Sequence, residues 1–168
     1  MIWDKPPLDQ DRAREIASRY GLDLLTASIL ARRGLGEPED MLFFLEDDVR
    51  FLHNPFLFVE MEDAVDRIMG AREEGEKVLV FGDRDVDGIT STTLLVEALS
   101  GMGIDVSWRL PMGNDPYSLT TEAVEEFAKA DGTLIVTVDC GISSVREIGR
   151  ARELGIDTII VDHHNPPE

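Results

Sequence analysis

The chain has 168 residues, 43% of them apolar, and sets 16 Lys and Arg against 34 Asp and Glu for a net charge of −18. That is enough for one compact domain with a small extension, and too acidic for the broad basic surface of a self-sufficient nucleic-acid binder. An anionic substrate stays open, because bound metal ions invert the local field. The single cysteine, Cys140, excludes an intrachain disulfide. The first residues have no apolar signal core and no apolar run approaches the length of a membrane span, so a soluble cytoplasmic protein is expected.

Residues 1–75 read as a helical lead-in. Asp9 caps a first helix with Ala13, Ile16, Ala17 and Tyr20 on one face and Gly21 as its stop; Asp23 caps a second, with Leu24, Ala27, Leu30 and Ala31 facing inward and Gly34 closing it. Pro38 suits the first turn of a short third helix ending at Leu45. Residues 46–59 are irregular around the turn signal Asn54-Pro55, and a fourth helix carrying Met61, Ala64, Val65 and Ile68 ends at Gly75.

From 76 to 168 the rhythm changes to alternating strand and helix. Strands are expected at Val78–Phe81, Asp105–Leu110, Thr133–Val138 and Asp157–Val161, with helices at about Gly88–Ser100, Thr120–Lys129 and Ser143–Leu154. Short connections between alternating elements predict an α/β fold: an open parallel sheet with helices on both faces. The fourth strand delivers polar side chains and the chain stops soon after, which suggests a fragment or a short reading frame.

Three strands end in possible ligands. The first delivers Asp83, Asp85 and Asp87, the third Asp139, and the fourth Asp162, His163 and His164. Side chains just past the carboxyl ends of parallel strands line one crevice, so these distant residues are expected to converge. Several carboxylates with one or two imidazoles suit Mn²⁺ or Mg²⁺ better than a structural zinc. Two such ions sharing a carboxylate would polarise a phosphoryl oxygen, activate a bridging water and stabilise the leaving oxygen, which is phosphoester hydrolysis. Asp139 is the candidate bridging ligand.

Other assignments compete. Asp83-x-Asp85-x-Asp87-Gly88 matches the start of an EF-hand loop, but position twelve is Leu94 and a strand precedes it. No Gly-Lys-Ser/Thr or Gly-x-Gly-x-x-Gly follows the first strand. Asp87 either caps the helix beginning at Gly88 or meets a metal. Asp162 better suits holding a histidine in its tautomer than direct ligation. Cys140 reads as a small buried side chain with no activating base, His53 as an ordinary loop or core histidine, and Ser143 and Ser144 as caps of their helix, whose N-terminus could receive a phosphate.

At Gly82-Asp83-Arg84-Asp85-Val86-Asp87-Gly88, Val138-Asp139-Cys140-Gly141 and Asp162-His163-His164 the chain resembles the DHH phosphoesterase superfamily. Within it, the chain is most similar to the amino-terminal part of the RecJ family of 5′→3′ single-stranded-DNA exonucleases. Ile29–Gly34, Asn54-Pro55-Phe56 and Asp63–Ile68 look like the RecJ lead-in, and Asp87–Thr92 and Asp139–Ser143 like its core. The resemblance implies metal ligation by Asp83, Asp85, Asp139 and His163, with His164 close to metal or scissile phosphate, and Asp87 and Asp162 as supporting residues. It implies Mn²⁺ or Mg²⁺, two ions, as cofactors and single-stranded DNA as the partner of a complete enzyme. Arg84 departs from the aromatic residue, usually Tyr, of RecJ proteins, and the loop Pro111–Ser118 lacks their Arg and Gly-Tyr-Gly. RecJ-like proteins continue with a further metal-binding aspartate, a second α/β domain and nucleic-acid-binding elements, so the resemblance implies part of a nuclease core that is weakly active or inactive alone. Two alternatives stay open: a DHH phosphodiesterase acting on short oligonucleotides, cyclic dinucleotides or polyphosphate, and a non-catalytic DHH-like binding module.

Overall fold

The computed structural model describes residues 7–166. These form two compact units that divide between Leu57 and Phe58. The first holds α1 (Gln10–Tyr20), α2 (Leu24–Arg32) and α3 (Pro38–Leu45), followed by short 3-10 turns at Val49–Phe51 and Pro55–Leu57. Asp9 and Asp23 accept backbone N–H bonds at the starts of α1 and α2, and Gly21 leaves α1 in a left-handed conformation. Ile16, Ala27, Leu30 and Met41 make the buried core of this unit. His53 stacks on Phe43 with ring centroids 5.7 Å apart.

The second unit runs α4 (Met61–Glu74), β1 (Lys77–Gly82), α5 (Val86–Gly101), β2 (Asp105–Arg109), α6 (Thr121–Lys129), β3 (Gly132–Val138), α7 (Val145–Glu153) and β4 (Asp157–Val161). The helix α4, grouped by sequence with the lead-in, falls in this unit: Ala71 and Ile68 pack on the sheet. All strand pairs are parallel, in the order β2-β1-β3-β4. The central strands β1 and β3 are buried on both faces, as their Val, Leu and Ile runs predict. Strand alternation sends Val78, Val80, Leu134 and Val136 towards α4 and α5, and Leu79, Phe81 and Ile135 towards α6 and α7. Helices therefore cover both faces. From β1 the chain crosses to β2 over one face and then returns to β3 over the other, so a crevice opens beyond the carboxyl ends of β1 and β3.

Two local expectations change. The helix after β1 begins at Val86, two residues before Gly88, and its cap is Asp85, which accepts from the Gly88 N–H at 3.0 Å; Asp87 lies exposed in the first turn. The carboxylate at the cap position wins because its side chain reaches a free N–H two residues into the helix. Ser144 holds the cap position of α7 but makes no capping bond, and its hydroxyl is buried without a partner.

Candidate metal centre

Each ligand candidate follows a strand end. Asp83 comes directly after β1, and its carboxylate accepts from the Arg84 N–H at 2.6 Å. The turn to α5 is so tight that a Cβ on Gly88 would sit 2.2 Å from the Asp83 carbonyl oxygen, and one on Gly82 would meet the Thr92 hydroxyl. Glycine at these two positions lets the N-terminus of α5 fold against the end of β1, bringing Asp85 beside Asp83. The Gly88 N–H holds the Asp85 carboxyl below the usual carboxylate range, although burial opposes it.

Asp139 follows β3 with φ of +58°, a left-handed conformation that aspartate tolerates better than most residues. Its N–H still donates to the Val161 carbonyl at 2.8 Å, so the β3–β4 ladder fixes the backbone while the left-handed turn redirects the chain. Burial, reinforced by the Asp85 charge, pushes the Asp139 carboxyl above the usual range. Its Oδ1 meets His163 Nε2 at 3.0 Å, and its Oδ2 is buried without a hydrogen-bond partner. A buried carboxylate oxygen with nothing to bind is a position suited to a cation.

Beyond β4, Asp162 accepts from the Ile142 N–H through Oδ2 and from the His164 N–H and Nδ1 through Oδ1, at 2.7–3.0 Å. Burial alone would raise its carboxyl, but these bonds outweigh it and hold it below the usual range. The same contact raises the His164 imidazole. The His163 and His164 rings lie 4.5 Å apart.

The ligand atoms of Asp83, Asp85 and Asp139 lie within 4.8 Å of one another, and so do those of Asp139, His163 and His164. Asp139 belongs to both groups. The four expected metal ligands, Asp83, Asp85, Asp139 and His163, thus fall in these two groups together with His164; Asp162 stands behind His164, and Asp87 belongs to neither group. The donor set of hard carboxylate oxygens and imidazole nitrogens fits Mn²⁺ or Mg²⁺. Cys140 takes no part. Burial and the surrounding carboxylates push its thiol up to about 12, so it stays protonated while its Sγ faces the Phe81 carbonyl. Sequence reasoning did not find the pairing of Arg84 with Tyr117: the guanidinium carbon lies 3.6 Å from the ring centroid, and no spacing rule links positions so far apart.

The model of the DHH family, N-terminal domain, matches residues 77–168, which contain every strand and ligand described above. The chain belongs to the DHH family. Within that family it is most like the amino-terminal region of RecJ. It is 34% identical, over 99% of its length, to the single-stranded-DNA-specific exonuclease RecJ of Bacillus subtilis, of which it spans 21%. The Salmonella typhimurium RecJ is 44% identical over 63% of the chain and 19% of that protein. The structure of Thermus thermophilus RecJ in complex with Mn²⁺ superposes with a TM-score of 0.66 at 28% identity, over 99% of this chain and 22% of that one. The chain thus spans about a fifth of the curated relatives it matches. Among the described residues no helix is long and apolar enough to cross a membrane.

Proposed function

We propose that the chain forms the ligand-bearing end of a metal-dependent nuclease that hydrolyses single-stranded DNA from its 5′ end. The observation that carries this reading is the shared position of Asp139, one buried carboxylate common to two adjacent ligand groups. Asp83 and Asp85 complete one group, and His163 and His164 the other. When bound, a pair of divalent ions supplies charge neutralisation and Lewis acidity towards a phosphoryl oxygen. Asp139, common to both groups, would help to hold both ions, with Asp83 and Asp85 on one side and His163 and His164 on the other. Asp162 holds the His164 ring through Nδ1, which leaves Nε2 as the nitrogen for a metal or for a phosphate oxygen of the strand. Burial of Asp83 and Asp139 beneath the crevice keeps water from competing for these oxygens. The cytoplasm is the compartment that goes with a DNA substrate.

The relatives that support this reading are single-strand-specific exonucleases several times longer than this chain. A second reading of the same ligand groups is a metal-binding module without turnover. Incubating the chain with Mn²⁺ and a 3′-labelled single strand separates the two. We expect slow shortening from the 5′ end, abolished by EDTA and by Asp85→Ala. Mn²⁺ binding with the strand left intact would favour the module, and absence of Mn²⁺ binding by a folded chain would defeat both.

A further inference from the structure

Arg84 stands between Asp83 and Asp85 in the chain, yet its guanidinium pairs with neither. Among the described residues its side chain makes one hydrogen bond, from Nη1 to the Gly113 carbonyl at 2.7 Å, and lies over the Tyr117 ring at 3.6 Å. An arginine beside several carboxylates would ordinarily be drawn into an ion pair. Here the loop after β2 holds it by a neutral carbonyl and an aromatic face, which leaves its charge uncompensated and several of its five N–H donors free. The four segments at the crevice, 83–88, 110–118, 139–144 and 162–166, contain no other Lys or Arg. The chain as a whole carries a net charge of −18, so a polyanion approaching this crevice meets repulsion almost everywhere else.

We propose that Arg84 is a substrate-contact residue: held by Gly113 and Tyr117, it takes a phosphate of the substrate strand beside the carboxylate groups. This rests on the reading of the site as a single-strand nuclease centre. Arg84 supplies the fixed positive charge and the forked donors that phosphate recognition uses. Tyr117 is a positioning residue that keeps the guanidinium from collapsing onto Asp83 or Asp85. The contact is to the backbone of the strand, so it is indifferent to base sequence.

The test uses the whole chain with Mn²⁺ and a fluorescein-labelled, phosphorothioate-linked single-stranded oligonucleotide that resists cleavage, followed by anisotropy over a range of KCl concentrations. Arg84→Gln should weaken binding by about tenfold at low salt and reduce the slope of log affinity against log salt by about one. Arg84→Lys should restore the slope but only part of the affinity, because a point charge replaces the fork. Tyr117→Ala should weaken binding about threefold with the slope retained. Mn²⁺ affinity, read by EPR, should change less than twofold in Arg84→Gln. Oligonucleotide affinity and slope unchanged by Arg84→Gln would overturn the assignment and leave Arg84 a latch for the loop, with the nuclease reading intact. Loss of Mn²⁺ binding in that variant would overturn it too, by making Arg84 part of the metal site's own fold. No binding of the strand by the Mn²⁺-loaded wild type would defeat the nuclease reading itself, and this assignment with it.

Discussion

At the amino-terminal end of the parallel sheet, charges are matched. Arg67 of α4 meets Glu76 at 2.7 Å and Asp157 at 2.6 Å, and the Thr133 hydroxyl donates to Glu76 at 2.6 Å. At the carboxyl-terminal end of the same strands, Asp83, Asp85 and Asp139 crowd within 4.8 Å, and among the described residues no Lys or Arg pairs with them. The first arrangement ties a helix to three strands and leaves nothing for a ligand. The second leaves crowded negative charge that an added cation would neutralise. In a parallel sheet every strand presents the same end to the same side, so fold-holding and ligand-holding groups are sorted by strand end. A side-chain variant at the matched end should therefore move stability and spare metal affinity, and one among the crowded carboxylates should move metal affinity first.

Asp139→Asn carries the largest expected effect. Both ligand groups lose their common carboxylate, so Mn²⁺ affinity should fall at least about 100-fold, beyond the range usual for a residue that only orients a ligand. Stability without metal should hold or rise. Burial keeps the Asp139 carboxyl above its ordinary range. Its contribution to stability is present below the unfolded-state pKa and is lost as pH rises through the folded-state value, so at neutral pH the ionised group opposes folding. Asparagine removes that opposition. In the parent, Mn²⁺ at roughly 100 times its Kd should add about 2.7 kcal/mol, and in the variant almost nothing. EPR titrations beside thermal melts in EDTA measure both; parental Mn²⁺ affinity in a folded Asp139→Asn chain would break the comparison.

Gly88→Ala comes next, because it asks whether the carboxyl-terminal end tolerates any loosening. Its Cβ would meet the Asp83 backbone at 2.2 Å, and backbone cannot move aside as a flexible side chain can. Overpacking of this kind typically destabilises by about 1–3 kcal/mol, and here it should also spread Asp83 from Asp85 and weaken Mn²⁺ binding. Gly101→Ala, in the last turn of the same helix, meets nothing within 4 Å and should instead add about 0.5–1 kcal/mol without touching the metal. Denaturant melts and Mn²⁺ titrations of the pair check this; equal effects of the two substitutions would mean that the close approach at Gly88 is not what shapes the site.

Much of this architecture is legible in the residues because its signals are local or topological. The Val-rich runs of β1 and β3 mark buried parallel strands, and Asp9, Asp23 and Gly75 mark helix ends. Convergence of Asp83, Asp139 and His163 follows from strand ends alone, without any knowledge of distance. What stays hidden depends on side-chain reach. Asp85 and Asp87 are both plausible caps by type, and only the geometry of the turn selects Asp85. The stacking of Arg84 on Tyr117 joins two irregular segments, where no periodicity constrains the partners. The left-handed backbone at Asp139 likewise has no sequence signature, since glycine, the usual marker, stands two residues later at Gly141.

The smallest expected loss, and the cleanest control on the comparison, is in Glu76→Gln at the matched end. The Thr133 hydroxyl and then Arg67 hold the Glu76 carboxyl below its ordinary range. A lowered carboxylate contributes stability that is fully present above the unfolded-state glutamate range and disappears as pH falls through the lowered folded-state value. The parent should therefore lose this contribution on acidification, and the gap between parent and Gln variant should close across the same window. At neutral pH the substitution should destabilise by about 1–2 kcal/mol, since Arg67 keeps Asp157 but loses a half-buried charged partner. Mn²⁺ affinity should stay within about twofold, because Glu76 lies a full strand length from Asp83 along β1, at the opposite end of the sheet. Thermal melts from neutrality down through the unfolded glutamate range and on below the lowered folded-state value, with one Mn²⁺ titration at about pH 7, decide the matter. A tenfold loss of Mn²⁺ affinity in Glu76→Gln would mean that strain passes along β1 from one end to the other, and that holding the fold and holding the metal are not separate tasks in this sheet.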